Sequence, residues 1–446
     1  MATELNQPAS ISAEPSADNE FVCKHWLARL VCKGLPFYKE DEGKQYCVLH
    51  YPGKEKRADF AIALQKKLEA KDFDFSGVWF PERINFSRVE FSTAANFHQA
   101  IFSANVDLQA ATFSETANFI STIFCGTINF SSATFSAEAS FVGATFRDAA
   151  NFGQAAFKAT ADFYSAKFSA VANFHSTRFN ALAEFTFTTL SATADFSSAT
   201  FISYVRFDGD LVTEVFEEKS ALSLMHAQIE KSERVTFHTL WLRPHWFVNV
   251  DARKFELVNV RWSNKSIQDE IDALPEYIEY PHRLLSIAYR QLAVNAEENH
   301  RYGEASRFRY DSMNVKRLEK WHGWAFWTLD WWYWLASGYG ERAGRALIVL
   351  LFVLFSFAVL YTQIGFTQST EKTSSATAAT TAQPDTAGRP LRLAQALVYS
   401  FEVGLLQKPE PKPLTLTARL LIGLETVLGP LQGALLALAV RRKFMR

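Results

Sequence analysis

Hydrophobic and polar positions alternate with a fixed beat through the middle of the chain. From Phe80 to Phe207 a large apolar residue returns at steps of six and five in turn: Phe80, Phe86, Phe91, Phe97, Phe102, Leu108, Phe113, and onward to Leu190, Phe196, Phe201 and Phe207. A fixed 11-residue period marks a solenoid or array. At about 100° per residue, a five-residue step turns a helix by roughly 140° and a six-residue step by roughly 240°, so on a helix these rings would scatter. Strands fit better. Ala95, Ala100, Ala111 and Ala117 each stand two residues before a ladder position, and residues i and i−2 of a strand share a face. Each short strand is expected to aim one Ala and one Phe inward, with Ser, Thr, Asp or Asn outside. The ladder breaks over 211–234, read as a helical insertion, and resumes in 235–242 and 255–262, ending near Trp262.

The C-terminal third has a different pattern. Ala346–Phe366 carries no charge over 21 residues, enough to cross about 30 Å of hydrocarbon as a helix. Leu414–Val440 is a second span, with Arg419 near its start, Glu425 inside and Pro430 at its centre. An intramembrane carboxylate is costly and faces a bundle interior or water. Between the spans, Thr367–Pro390 reads as a flexible external loop. Leu391–Phe401 reads as a short amphipathic helix that Pro409, Pro411 and Pro413 keep from running into the second span. A short helix entering and leaving one side is re-entrant, and irregular backbone at membrane depth is tolerated only against protein or a water-filled cavity. Arg342 and Arg345 precede the first span, and Arg441, Arg442, Lys443 and Arg446 follow the second, so both ends are expected in the cytosol. Pro281–Lys320 reads as a helical hairpin broken near Asn299–Gly303, with Tyr289, Leu292, Ala305, Phe308 and Met313 inside.

The triplets Ala95-Asn96-Phe97, Ala117-Asn118-Phe119, Ala150-Asn151-Phe152, Ala161-Asp162-Phe163 and Ala194-Asp195-Phe196 resemble the pentapeptide-repeat family. That resemblance implies a right-handed quadrilateral β-helix. Every second pentapeptide here gains a residue, so a four-faced coil takes about 22 residues. Phe80–Phe207 then makes roughly six coils and a rod of roughly 28 Å. The order of span, external loop, short helix, irregular segment and span resembles the two-span potassium-channel pore module. It implies four-fold closure into a homotetramer. Ala396–Gly404 takes the place of pore helix and filter, and Glu402, Val403, Gly404 and Leu405 fall at the constriction. The family filter reads T-V-G-Y-G-D; here Leu406 stands at the second glycine. A filter glycine allows positive φ, which costs a residue with a Cβ about 1 kcal/mol or more. A potassium-selecting carbonyl ladder is therefore not expected, while a ring of Glu402 side chains could attract monovalent or divalent cations. Glu402 as a structural carboxylate, or a closed pore, remains the alternative. Glu425, Gly429 and Gly433 are the candidate hinge or gate of the inner helix. The tripeptide Gly338-Tyr339-Gly340 matches a family filter in letters but is not the filter: it precedes the first span on the cytosolic side, where the glycines are expected to turn the chain into the membrane.

Composition adds two anomalies and several exclusions. Among 446 residues there are 40 Phe, and nine of the 11 Trp fall after residue 240, six of them in Trp321–Trp334. Indole suits a membrane interface. The net charge is −1, which points to no nucleic-acid partner. Over Phe91–Val205 seven carboxylates face four basic residues, too weak an excess for DNA mimicry. The N-terminus is polar and acidic, unlike a signal peptide. Three of the four Cys cluster with a histidine as Cys23, Cys32, Cys47 and His50. Thiolate and imidazole suit tetrahedral zinc; His25 is an alternative ligand, and buried free thiols are the competing reading. No catalytic motif is present, so an enzyme is not expected.

The expected organisation is a tail at 1–20, a zinc-binding or helical cap at 21–70, the β-helix at 71–262, and a hairpin linker at 263–320. A Trp-rich interfacial helix at 321–345, a span at 346–366, an external loop at 367–390, a re-entrant segment at 391–413 and a span at 414–441 complete it. The fold class is thus mixed: β-helix plus an α-helical two-span pore domain with a re-entrant loop. The expected function is passive cation conduction in a bacterial inner membrane, regulated by the cytosolic repeat domain. The alternative is a non-conducting scaffold anchored among membrane lipid, whose β-helix binds a cytosolic protein partner.

Overall fold

A computed structural model describes residues 35–209, 215–216, 220–231, 234–319, 328–366, 389–408, 410, 412–413 and 415–444. The chain divides into two compact units, Met1–Ser263 and Asn264–Arg446.

In the first unit a hairpin of β1 (Phe37–Asp41) and β2 (Lys44–Cys47) leads into helix α1 (Arg57–Glu69). These elements close one end of a solenoid. Phe60 of α1 meets the first-coil ring Phe80 edge-on at 5.5 Å. The fully buried Lys56 donates to the Leu49 carbonyl at 2.7 Å and stands over the Phe60 and Trp79 rings. A stack of rings ending in solvent would expose apolar surface, so the cap is a requirement of the repeat.

The solenoid is built from strands of two residues, such as Ala95–Asn96, Ile101–Phe102, Val106–Asp107 and Thr112–Phe113. Each pairs in parallel with its counterpart one coil on: Ala95 with Ala117, Phe102 with Phe124, Val106 with Ile128, Phe113 with Phe135. Four sheets of eight, six, seven and seven strands form the four faces. Inside, the ladder residues stack in columns. Phe97, Phe119, Phe141, Phe163, Phe185 and Phe207 follow at 4.9, 4.9, 4.8, 5.0 and 5.0 Å, with rings within 9° of parallel. Strands sit about 4.8 Å apart, so one spacing serves backbone and ring.

The corners explain the triplet. Ala100 N–H donates to the Phe97 carbonyl at 2.9 Å across a turn whose third residue, Gln99, has φ +56°. Positive φ recurs at the same place in the repeats that follow, at Ala110, Ser121, Ser132, Gly143, Gln154 and Ser165. Where an Asn or Asp precedes the Phe it stabilises this turn: Asn96 Oδ1 accepts from His98 N–H at 3.1 Å, and Asn129 Oδ1 from Ser131 N–H at 3.0 Å. Its amide also reaches the neighbouring coil, as Asn151 Nδ2 does to Asn129 Oδ1 at 3.2 Å.

The helix expected over 211–234 is not the element found in its described part. Ala221–Ser223 and Gln228–Ile229 are strands, paired with Thr193–Asp195 and Thr200–Phe201. Leu222 takes the place opposite Ala194, so this coil is longer than the regular ones but keeps its faces. Leu222 and Leu224 are both buried at a spacing of two, a strand pattern that the missing Phe disguises. The last rung pairs Arg261–Trp262 with Trp241–Leu242.

The second unit is helical. After α2 (Ile267–Asp272), α3 (Pro281–Glu298) and α4 (Tyr302–Glu319) form the hairpin. Tyr289, Leu292, Ala305 and Phe308 are buried in it as expected, whereas Met313 is half-buried and Val315 takes the inner position. Then come α5 (Leu329–Ser337), α6 (Ala343–Tyr361), α7 (Leu393–Gly404) and α8 (Leu416–Phe444). Helices α6 and α8 are long and apolar enough to cross a membrane, and only 17% of the most apolar stretch of each is buried within the chain. Their apolar faces point outward.

Candidate functional site

The segment between the two apolar helices starts and ends beside the same residue. Gly365–Phe366, just after α6, pairs antiparallel with Arg389–Pro390, just before α7. After α7 the chain returns, and Pro413 bridges Phe366 from the other side. Helix α7 therefore dips in and comes back at one end of α6. It buries Ala396, Tyr399 and Val403 against Phe357, Ala358, Tyr361 and Phe366.

Glu402, Val403 and Gly404 form the last turn of α7 rather than an extended filter. Two of their carbonyls are occupied: Gln407 N–H donates to Glu402 O at 2.9 Å and Leu406 N–H to Val403 O at 2.9 Å. This pair of bonds is a Schellman motif, whose left-handed position normally takes glycine. Here it is Leu406, at φ +61°. The positive φ anticipated where the second filter glycine would stand is thus present, but it ends a helix. Glu402 is half-buried, Val403 is buried and Leu405 is exposed.

Glu425 of α8 is fully buried within the chain. It accepts hydrogen bonds from Tyr361 Oη of α6 and Ser400 Oγ of α7. One carboxyl thereby ties three helices, an arrangement the sequence hides because the partners lie 64 and 25 residues away. Gly429 serves close approach: a Cβ there would come 3.0 Å from Gly404 Cα. A Cβ on Gly433 would meet nothing within 4 Å. Gln432 Nε2 donates to Ala336 O at 2.7 Å and Ala346 O at 2.9 Å, joining α8 to the end of α5 and the start of α6.

Gly338, Tyr339 and Gly340 make the turn from α5 into α6, all at positive φ (+56°, +61° and +73°). A Cβ on Gly340 would lie 2.9 Å from Tyr333 Oη and 3.1 Å from Arg442. Arg442 donates to Tyr339 O at 3.0 Å and pairs with Glu341 at 3.2 Å. Glu341 also accepts from Ser306 Oγ of α4 at 2.8 Å. The arginines around the turn lie on rings: Arg317 and Arg345 over Trp334, and Arg342 over Tyr310.

Of the candidate zinc ligands, Cys23 and Cys32, with His25, lie outside the described residues. Cys47 and His50 meet in a buried pocket, Sγ to Nδ1 at 3.1 Å. His50 Nε2 lies 2.9 Å from Ser76 O, a carbonyl that can only accept. Nε2 therefore carries a proton, which in the neutral ring leaves the Nδ1 lone pair toward the sulfur. That is the orientation a metal-ligating histidine takes when its other nitrogen is held by a carbonyl. Among the described residues no three His, Cys, Asp or Glu gather into a metal-binding group.

Residues 97–145 match the family described as Pentapeptide repeats (9 copies). The four-faced solenoid of the first unit thus contains, over residues 97–145, a stretch similar to pentapeptide repeats. No curated protein and no solved structure matches the chain.

Proposed function

We propose that the second unit is a two-span, re-entrant membrane module that closes into a cation-conducting pore by association of four copies, with the solenoid and both termini on the cytosolic side of a bacterial inner membrane. The observation that carries this reading is the return of both ends of α7 to Phe366. A soluble helical core has no need of a short helix that enters and leaves beside one residue of an apolar hairpin. Because the Glu402 and Val403 carbonyls are used within the chain, selectivity falls to the Glu402 side chain, which favours cations without preferring potassium. Recording from the purified chain in planar bilayers tests this. Cation-selective current that loses selectivity in Glu402→Ala supports the pore; absence of current under voltage, tension and ligands sinks it.

The second reading is a non-conducting anchor that displays the solenoid to a protein partner. It is favoured by Glu425, whose carboxylate is satisfied inside one chain rather than facing a shared axis. At the N-terminus we propose zinc held by Cys23, Cys32, Cys47 and His50, on the strength of the oriented Nδ1 beside Cys47 Sγ.

A further inference from the structure

A cavity of about 260 Å³ lies among α3, α4, α8 and the Gly338–Gly340 turn, lined by Arg290, Arg309, Arg442, Tyr339 and Glu341 among others. Three of its buried donors have no acceptor in hydrogen-bond geometry among the described residues: Arg309 Nε, Arg309 Nη2 and the Tyr339 hydroxyl proton. Tyr339 is 2% exposed. Burial pushes its phenol up to about 12, which the nearby Arg317 offsets only in part, so it keeps its proton. Arg317 carries donors alone, and that proton is left without an acceptor. Buried donors are normally satisfied, and an exception calls for a ligand or water.

The charge count agrees. Glu341 pairs with Arg309 and Arg442 at 3.5 and 3.2 Å, and Glu297 takes Arg309 NH1 at 2.9 Å. Three guanidiniums thus face two carboxylates, and Arg290 is exposed at the rim with no ion pair among those the structure records. An excess cation beside three buried unfilled donors suits a tetrahedral oxyanion, which accepts from several donors at once.

We propose that this cavity binds a phosphate group, carried either by a soluble phosphate or by an anionic lipid headgroup at the ends of α6 and α8. The site stands apart from the proposed pore and does not depend on conduction. Its occupant would bridge the α3–α4 hairpin and the end of α8, so binding is expected to rigidify that junction.

The test uses the full chain. Purified in detergent free of phospholipid, it is titrated calorimetrically with inorganic phosphate and pyrophosphate. Reconstituted in phosphatidylcholine nanodiscs with or without phosphatidylglycerol, it is melted thermally. Both are repeated with Arg290→Ala, which breaks no recorded bond, and Tyr339→Phe, which keeps the ring. Saturable binding of phosphate assigns a soluble occupant; a melting shift with phosphatidylglycerol alone assigns a lipid. Either is expected to weaken about tenfold in each variant, and Arg290→Ala is expected to melt as the parent does when no phosphate is present. No response to any probe, or an equal response in both variants and the parent, overturns the proposal.

Discussion

Replacing Phe141 by alanine tests the reading of the rod. Phe141 is fully buried. It stacks on Phe119 at 4.9 Å and Phe163 at 4.8 Å, and meets Phe130 and Phe152 edge-on at 5.7 and 5.5 Å. Truncating a buried Phe costs about 3–5 kcal/mol. This site belongs at the upper end, for two reasons. Each stacked pair is worth about 0.5–1.5 kcal/mol beyond its area. The strand residue Ala139 is also paired above and below, with Ala117 and Ala161, so the backbone cannot close on the hole. Phe141→Leu is expected to cost under about 1.5 kcal/mol, because Leu108 and Leu190 already occupy ladder positions fully or nearly fully buried. Urea unfolding of the full chain, followed by the strand signal in far-UV circular dichroism, gives both values. A loss below about 1.5 kcal/mol for alanine, or equal losses for alanine and leucine, refutes the idea that stacking at the rung spacing holds the solenoid together.

Four further outcomes are expected. Leu406→Gly relieves a left-handed residue and raises the stability of the detergent-solubilised chain by about 1 kcal/mol; a lower melting temperature refutes the helix-ending motif. Ser400→Ala and Tyr361→Phe each lose about 1–3 kcal/mol, and their double mutant shows non-additivity because both act on Glu425. Burial, only partly offset by Arg307 and Arg342, pushes the Asp311 carboxyl up to about 6. The native state thus holds this proton more tightly than the unfolded one, and stability falls as pH rises from about 4 through 6; Asp311→Asn should melt higher than the parent near pH 8 and show no advantage near pH 4. Elemental analysis of the purified chain should find one zinc, lost with His50→Ala; a metal-free chain refutes the site.

Much of this was legible from spacing. The six-and-five ladder located Phe80–Phe207 on the inner side, since inward residues must repeat with the coil. The apolar run at Ala346–Phe366 and the prolines after Phe401 located a short helix between two long ones. Three things stayed hidden. The coil through Leu222 and Ile229 lacks Phe and is longer than its neighbours, so a period search loses it. Helix α7 runs on to Gly404 because its end is fixed by a hydrogen-bonded cap, which a V-G dipeptide does not announce. The Tyr361–Ser400–Glu425 cluster depends on packing of three helices, and only the cost of a buried carboxylate hinted at it.

The shared spacing of rungs and rings has a consequence for how such a chain can change. Each regular coil meets the next through the same pairing, Ala95 with Ala117 and Ala117 with Ala139, and no mismatch accumulates along the axis. Duplicating or deleting one whole coil should leave both ends chemically unaltered and move them by about 4.8 Å. A change of less than a whole coil has to be absorbed at a corner, as in the longer coil through Leu222, beyond which Phe237 still stacks on Phe207 at 5.0 Å. The solenoid thus behaves as a ruler graduated in whole coils, whose length can be edited without redesigning its caps.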